Sequence, residues 1–292
     1  MTAVPPLTDG DLTLRLSRHD PQAVVFDVEN GEPVGTVEVR RTTPGVGLVV
    51  WAMDGGPDIA QRAVRLLSEY AFVELGLERL QIEVDPDLHA SARVAIRSGY
   101  RREGLLRGAA LVEGERRDLA VYGMRIDDPR PDTVTGWTAL MDSALPTKRV
   151  IAHVIVRDTS GRVLLCQVSY KKDLELPGGV VEPNEDPASG AEREMREELG
   201  VALPLLGVLA IDWLPRWEGW GDAIEILYDG GVHEPDLLEK LHPDGFEIRG
   251  IAWHPVEALE GLVSPLNARR LPMVLAQPDV LHNLRNGSPI TS

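Results

Sequence analysis

The 292-residue chain has a single cysteine, Cys166, so no internal disulfide can form and no cysteine-based metal site exists. Its seven histidines are scattered, which removes the remaining spacings by which zinc is held. No apolar stretch approaches the length of a bilayer crossing, because charge, glycine or proline interrupts every candidate. Positive charge is in short supply: 30 Lys plus Arg stand against 46 Asp plus Glu, a formal net charge of −16. Such a surface repels a phosphate backbone and offers anionic lipid no footprint, which argues against nucleic-acid and membrane partners. The opening MTAVPPLTDG lacks the basic start and apolar run of a secretory leader, so a cytoplasmic location is expected and the Asn286-Gly287-Ser288 sequon carries no meaning. Internal repeats and low-complexity tracts are missing too.

What is present suffices for two ordinary cores, with 43% hydrophobic and 26% charged residues. Residues 127–134 combine two prolines with charge and little that packs, after a strand-like stretch ending at Ile126. We therefore expect one domain over 1–126, a linker and lead-in arm over 127–146, and a second domain over 147–292. The arm carries Trp137, Leu140 and Met141, which suits packing on the second domain as well as it suits a free linker.

In the first half, Leu12/Leu14/Leu16 alternate, and short apolar runs at 24–26 and 34–39 flank Asn30-Gly31, a sheet pattern whose strands look short. From Asp58 to Leu75 the apolar residues recur at helical spacing, Leu80/Ile82/Val84 alternate again, and a second helical run from Ala90 to Ser98 closes on Gly99. The second half opens with Val150–Val156 and Val163–Val168, which read as a hairpin around Asp158–Gly161. Later comes a helix with clear ends: Asp186 as cap, Pro187 in the first turn and Gly200 after the last. Further strands are predicted near Gly207–Ile211, Ile224–Tyr228 and Gly250–Trp253, and helices from Pro255 and about Leu266. The first half is α/β, and the second is α+β or α/β.

On that capped helix Glu194, Glu197 and Glu198 stand at i, i+3 and i+4, so all three face one way, while Ala188, Ala191, Met195 and Leu199 form the neighbouring apolar arc. Like charges at this spacing repel, and a cation relieves them; ligands that are all oxygen suit Mg²⁺ or Mn²⁺. An acidic helix face alone is more often a solvated face. The glycine loop Gly178-Gly179 before the helix and Gly200 after it favour a built site.

From Gly179 to Val201 the spacing resembles the full Nudix box: Gly179, Glu185, Arg193-Glu194-Met195, Glu197-Glu198, Gly200-Val201. Asn184 stands where many members have glycine, and asparagine also tolerates left-handed backbone. The resemblance implies an α/β/α sandwich and a Mg²⁺-dependent hydrolase that cleaves the pyrophosphate of a nucleoside diphosphate derivative, such as a nucleotide sugar, an ADP-ribose-like molecule or a nucleoside triphosphate. It assigns the metal to the Gly178 carbonyl, Glu194, Glu197 and Glu198, with Glu247 as a further ligand from outside the box. It makes Glu194 or Glu197 the catalytic base, and Glu185 with Arg193 a bracing ion pair. It also allows a homodimer. The clustered Trp213, Trp217 and Trp220 suit either base stacking or packing, and Tyr170-Lys171-Lys172 either contact with a phosphate or solvated charge.

Residues 10–126 resemble the GNAT acetyltransferases, on Ala63–Phe72, Glu74–Leu80, Ala90–Ala95 and Ser98–Gly104. That family cradles the pyrophosphate of acetyl-CoA in a basic glycine turn at a helix N-terminus. Here the turn is Asp54-Gly55-Gly56-Pro57-Asp58, which has no arginine, places two carboxylates at the phosphate site and lacks an amide at Pro57. The domain is therefore read as GNAT-like and degenerate. Ser91 and Tyr100 are candidates to line a residual pocket or to serve as cap and core. Two alternatives stay open: a bifunctional protein with an acetyl-CoA-dependent N-acetyltransferase domain, and a non-catalytic nucleotide-sensing module.

Overall fold

The structure is a computed structural model that describes residues 4–290. The chain divides into two compact units between Pro146 and Thr147.

The first unit is one eight-stranded sheet with three helices. It runs β1 (Leu7–Asp9), β2 (Leu12–His19), β3 (Ala23–Asn30), β4 (Glu32–Thr43), β5 (Val46–Met53), α1 (Pro57–Val73), β6 (Arg79–Val84), α2 (His89–Arg97), β7 (Arg101–Val112), β8 (Glu115–Arg125) and α3 (Val134–Ala144). The strand order is β1-β2-β3-β4-β5-β6-β8-β7, antiparallel throughout except where β5 meets β6. The early strands are not short. β4 is twelve residues long, and it reads as short because only Val37 and Val39 are buried while Glu38 and Arg40 pair with each other on the solvent side. Against the sheet lie Ala60, Ala63, Val64, Leu67 and Ala71 of α1, and Tyr70 meets Phe26 edge-on at 5.1 Å. β5 and β6 pair only over Val46–Leu48 and Arg79–Gln81, after which their ladder stops and the two strands run on unpaired with each other.

The segment expected to be linker and lead-in arm contains α3, and α3 is fastened to the first unit. Thr133 caps it through the Gly136 amide at 3.1 Å, Leu140 is buried, and Ser143 Oγ accepts the Arg102 amide of β7 at 3.1 Å.

The second unit contains β9 (Arg149–Asp158), β10 (Val163–Val168), β11 (Gly178–Val180), α4 (Pro187–Leu199), β12 (Val208–Leu214), β13 (Ala223–His233), β14 (Ile248–His254), α5 (Pro265–Ala276), β15 (His282–Arg285) and β16 (Ser288–Pro289). Its sheet runs β14-β10-β9-β13-β12-β15-β16. Period-two alternation sends successive side chains of β9 to opposite faces. Ala152, Val154 and Val156 join Ala191, Met195 and Leu199 of α4, whereas Ile155 joins Leu271 and Val274 of α5. This is a helix–sheet–helix sandwich. The expected hairpin closes at its root alone, Val163 opposite Arg157, because β10 then leaves β9 to pair along its length with β14. The edge of β9 so vacated is taken by β11, with Gly178, Gly179 and Val180 opposite His153, Ala152 and Ile151. That exchange brings the glycine loop against the last turns of α4, beside Glu194 and Glu198.

Candidate active site

Helix α4 is set by its ends. Asp186 accepts the amides of Ala188 and Ser189 at 3.0 and 3.1 Å, Pro187 follows, and Gly200 adopts left-handed backbone at φ 72°. With Ala191, Met195 and Leu199 buried against the sheet, the acidic arc is turned toward β11. The three glutamates are not equivalent there. Glu198 is buried, the Glu194 side chain is 18% exposed, and the Glu197 side chain is 61% exposed.

Two glycines make room for two of these carboxylates. Gly178 sits at φ 126°, where a Cβ would stand 2.3 Å from the Ala152 carbonyl oxygen; its amide instead donates to Glu198 Oε2 at 2.9 Å. A Cβ on Gly179 would meet Glu194 Oε1 at 2.8 Å. Asn184 adopts φ 65°, so the loop keeps its left-handed turn without glycine. Glu185 and Arg193 form a two-pronged pair at 3.1 Å for each contact, and Arg193 also reaches the Val180 carbonyl at 3.2 Å. Arg193 Nη1 bridges Glu194 Oε1 and Glu197 Oε2 at 3.0 Å each. One guanidinium thus ties loop, strand and helix together.

Burial raises the Glu198 carboxyl to about 7, against the pull of the Gly178 amide; the charges of Glu194 and Glu247 push the same way. Burial also raises Glu194, opposed by Arg193 and aided by Glu197 and Glu247. Glu247 is exposed, on a loop that Asp244 closes by accepting the amides of Phe246, Glu247 and Ile248, and its carbonyl accepts the Ser169 amide at 2.8 Å. Tyr170, next along the chain, is exposed over most of its surface, and its phenol is raised to about 12 by partial desolvation and by the charges of Glu175, Glu247, Glu198 and Glu194. Its phenol therefore lies within the field of the acidic cluster, a placement that a lone aromatic before two lysines does not announce in the sequence.

The donor set fits a hard divalent ion: every candidate ligand is oxygen, and carboxylates raised by burial and mutual repulsion are groups that a cation relieves. Among the described residues no three acidic, histidine or cysteine side chains converge on one point as they stand. Arg193 meanwhile holds Glu194 and Glu197, so an ion shared by these residues with Glu198 would draw both carboxylates from that guanidinium.

On the opposite face of the sheet lies a charged group that the sequence does not reveal. Arg270 of α5 is buried and bonds Glu225 Oε2 at 2.8 Å and Asp212 Oδ2 at 3.1 Å; His153 Nδ1 meets Glu225 Oε1 at 2.7 Å. The hints in sequence are single acids inside apolar runs, Asp212 in Val208–Leu214 and Glu225 in 223–228.

In the first unit, the Asp54–Asp58 turn stands at the N-terminus of α1, with Gly56 as N-cap at φ 85°, Pro57 following and no side chain capping it. Tyr100 is fully buried, its hydroxyl 2.7 Å from Ser68 Oγ, which makes it core; Ser91 is half-buried in the first turn of α2.

The fold and this site define a two-domain α/β protein, and comparison with known proteins names the domains. The NUDIX domain family matches residues 147–277, and the Acetyltransferase (GNAT) domain family matches residues 6–101. The chain therefore carries a GNAT domain followed by a Nudix domain. It is 30% identical over 106 residues to the Probable N-acetyltransferase YjcK of Bacillus subtilis (strain 168), a match covering 34% of this chain and 59% of that protein. It is 29% identical over 140 residues to the RNA pyrophosphohydrolase of Dinoroseobacter shibae, covering 41% of this chain and 85% of that protein. Among solved structures it resembles a ribosomal-protein-S5-alanine acetyltransferase from Vibrio fischeri, with TM-score 0.39 and 17% identity over 44% of this chain and 100% of that one. A MutT protein from Methanosarcina mazei Go1 matches with TM-score 0.37 and 21% identity, over 46% of this chain and 96% of that one.

Proposed function

We propose that the second unit is a Mg²⁺-dependent (or Mn²⁺-dependent) pyrophosphohydrolase acting on a nucleoside diphosphate derivative, and that the GNAT domain does not transfer acetyl groups. The observation that carries the first reading is the placement of Glu194 and Glu198 against Gly178-Gly179, in a groove that neither glycine can fill. Glu194, Glu197, Glu198, Glu247 and the Gly178 carbonyl would hold the ion, which supplies polarisation of the phosphoryl oxygens and a lowered pKa for attacking water. Arg193 and Glu185 fix the loop against the helix, so the Gly178 carbonyl stays beside the acidic arc. Glu197 is the most exposed of the three and has one carboxylate oxygen clear of Arg193, which suits it to take the proton of the attacking water at Oε1. A net charge of −16 opposes an anionic substrate, and the required cation reverses that field locally. A reduced, cytoplasmic setting agrees with one buried free thiol.

The experiment is incubation with dinucleotides, nucleotide sugars, ADP-ribose and nucleoside triphosphates in Mg²⁺, scored for phosphate-containing products. One dominant substrate is the expected result. No turnover of any member, or turnover undiminished in Glu198→Gln, contradicts the reading.

The second reading, a degenerate acetyl-CoA site, rests on the turn at α1, where Asp54 and Asp58 stand in place of cationic groups and Pro57 removes a donor.

A further inference from the structure

The first unit holds a cavity of about 680 Å³ between the outer faces of α1 and α2, the Arg130–Asp132 turn and α3. Its size is that of a small-molecule site. None of its lining comes from Asp54–Asp58, so it is separate from the turn before α1 where the GNAT resemblance puts the pyrophosphate of acetyl-CoA. The floor is apolar: Phe72, Ile96 and Met124 extend from the sheet core, and Leu140 and Met141 of α3 close the other side. At the mouth stands Trp137, 57% exposed, an indole face that no other aromatic ring covers among the described residues.

The rim is charged, and its sign runs against the rest of the molecule. Arg65, Arg93, Arg97 and Arg130 line it, against two carboxylates, Glu69 and Asp132. Arg130 is paired with Asp132 at 3.2 Å, and Arg97 stands 3.6 Å from Asp58. Arg65 and Arg93 make neither an ion pair nor a side-chain hydrogen bond among the described residues, in a protein with an excess of sixteen negative charges. Guanidinium forks match phosphate oxygens in two-pronged geometry, and an indole face stacks on a flat ring; the apolar floor takes the remainder of such a ligand. Helix α3 brings only Trp137, Leu140 and Met141 to the cavity, so the unpartnered cations are those of α1 and α2, facing a wall that offers them no carboxylate.

We infer that this cavity binds an aromatic phosphate of nucleoside monophosphate size, its phosphate between Arg65 and Arg93 and its ring against Trp137. The test uses the full chain in EDTA, which keeps the metal-dependent site of the other unit out of the measurement. Anilinonaphthalene sulfonate, itself an aromatic anion, is titrated as a fluorescent probe and then displaced with adenosine 5′-monophosphate. Saturable dye binding, displacement by the nucleotide and a loss of affinity for both of at least tenfold in R65A/R93A are expected, with an unchanged circular dichroism spectrum because both arginines are exposed. Trp137→Leu is expected to weaken the nucleotide more than the dye. Absence of saturable dye binding, dye that the nucleotide cannot displace, or R65A/R93A binding both as tightly as the parent overturns the proposal.

Discussion

Gly179 has an ordinary role in the chain trace and an exacting one in the site. A methyl there would overlap the Glu194 carboxylate, so Gly179→Ala is expected to push that side chain off the loop. Hydrolysis should fall by on the order of 100-fold, because displacement of a catalytic group by about an ångström has that effect, while the fold persists. Steady-state rates beside a thermal melt separate the two outcomes. Glu198→Gln makes the complementary test. Its carbonyl still accepts the Gly178 amide and it removes a buried charge, so turnover should vanish while thermal stability is kept or rises. A large drop in melting temperature instead would make Glu198 a structural residue.

Helix α4 is legible in the sequence: cap, proline, apolar arc and terminal glycine lie there at their working positions. Asp186→Ala should cost about 1 kcal/mol, read by urea unfolding, since two amides lose their acceptor. Local patterns also announced α1, α2 and the strands β9, β10, β12, β13 and β14. What they missed is non-local. The departure of β10 from β9 depends on β14, some eighty residues on, and the occupation of the vacated edge depends on a three-residue strand containing two glycines, which carries no hydrophobic period. The α3 helix was missed as a partner of the first unit because its anchor, Ser143 to the Arg102 amide, joins segments forty-one residues apart. The buried group around Arg270 was hidden for the same reason: α5 supplies the cation, and two different strands supply its acids. Arg270→Met would leave Asp212 and Glu225 buried without their partner and should destabilise the second unit by about 3–5 kcal/mol, measurable in the same unfolding assay.

For the molecule as a whole, removal of divalent ions by EDTA should abolish hydrolysis and Mg²⁺ or Mn²⁺ should restore it, with the circular dichroism spectrum unchanged, because both cores are apolar clusters that stand without a metal. Calorimetric titration with acetyl-CoA should show no micromolar binding; a micromolar isotherm would defeat the degenerate reading of the Asp54–Asp58 turn. The attachment of α3 to β7 also matters to anyone separating the halves. A gene cut after codon 126 strips the first fragment of a helix that shields Phe72 and Ile96, and leaves that same helix on the second fragment with Leu140 bare, a recipe for inclusion bodies on both sides. Severing the message after codon 146 spares each product that fate.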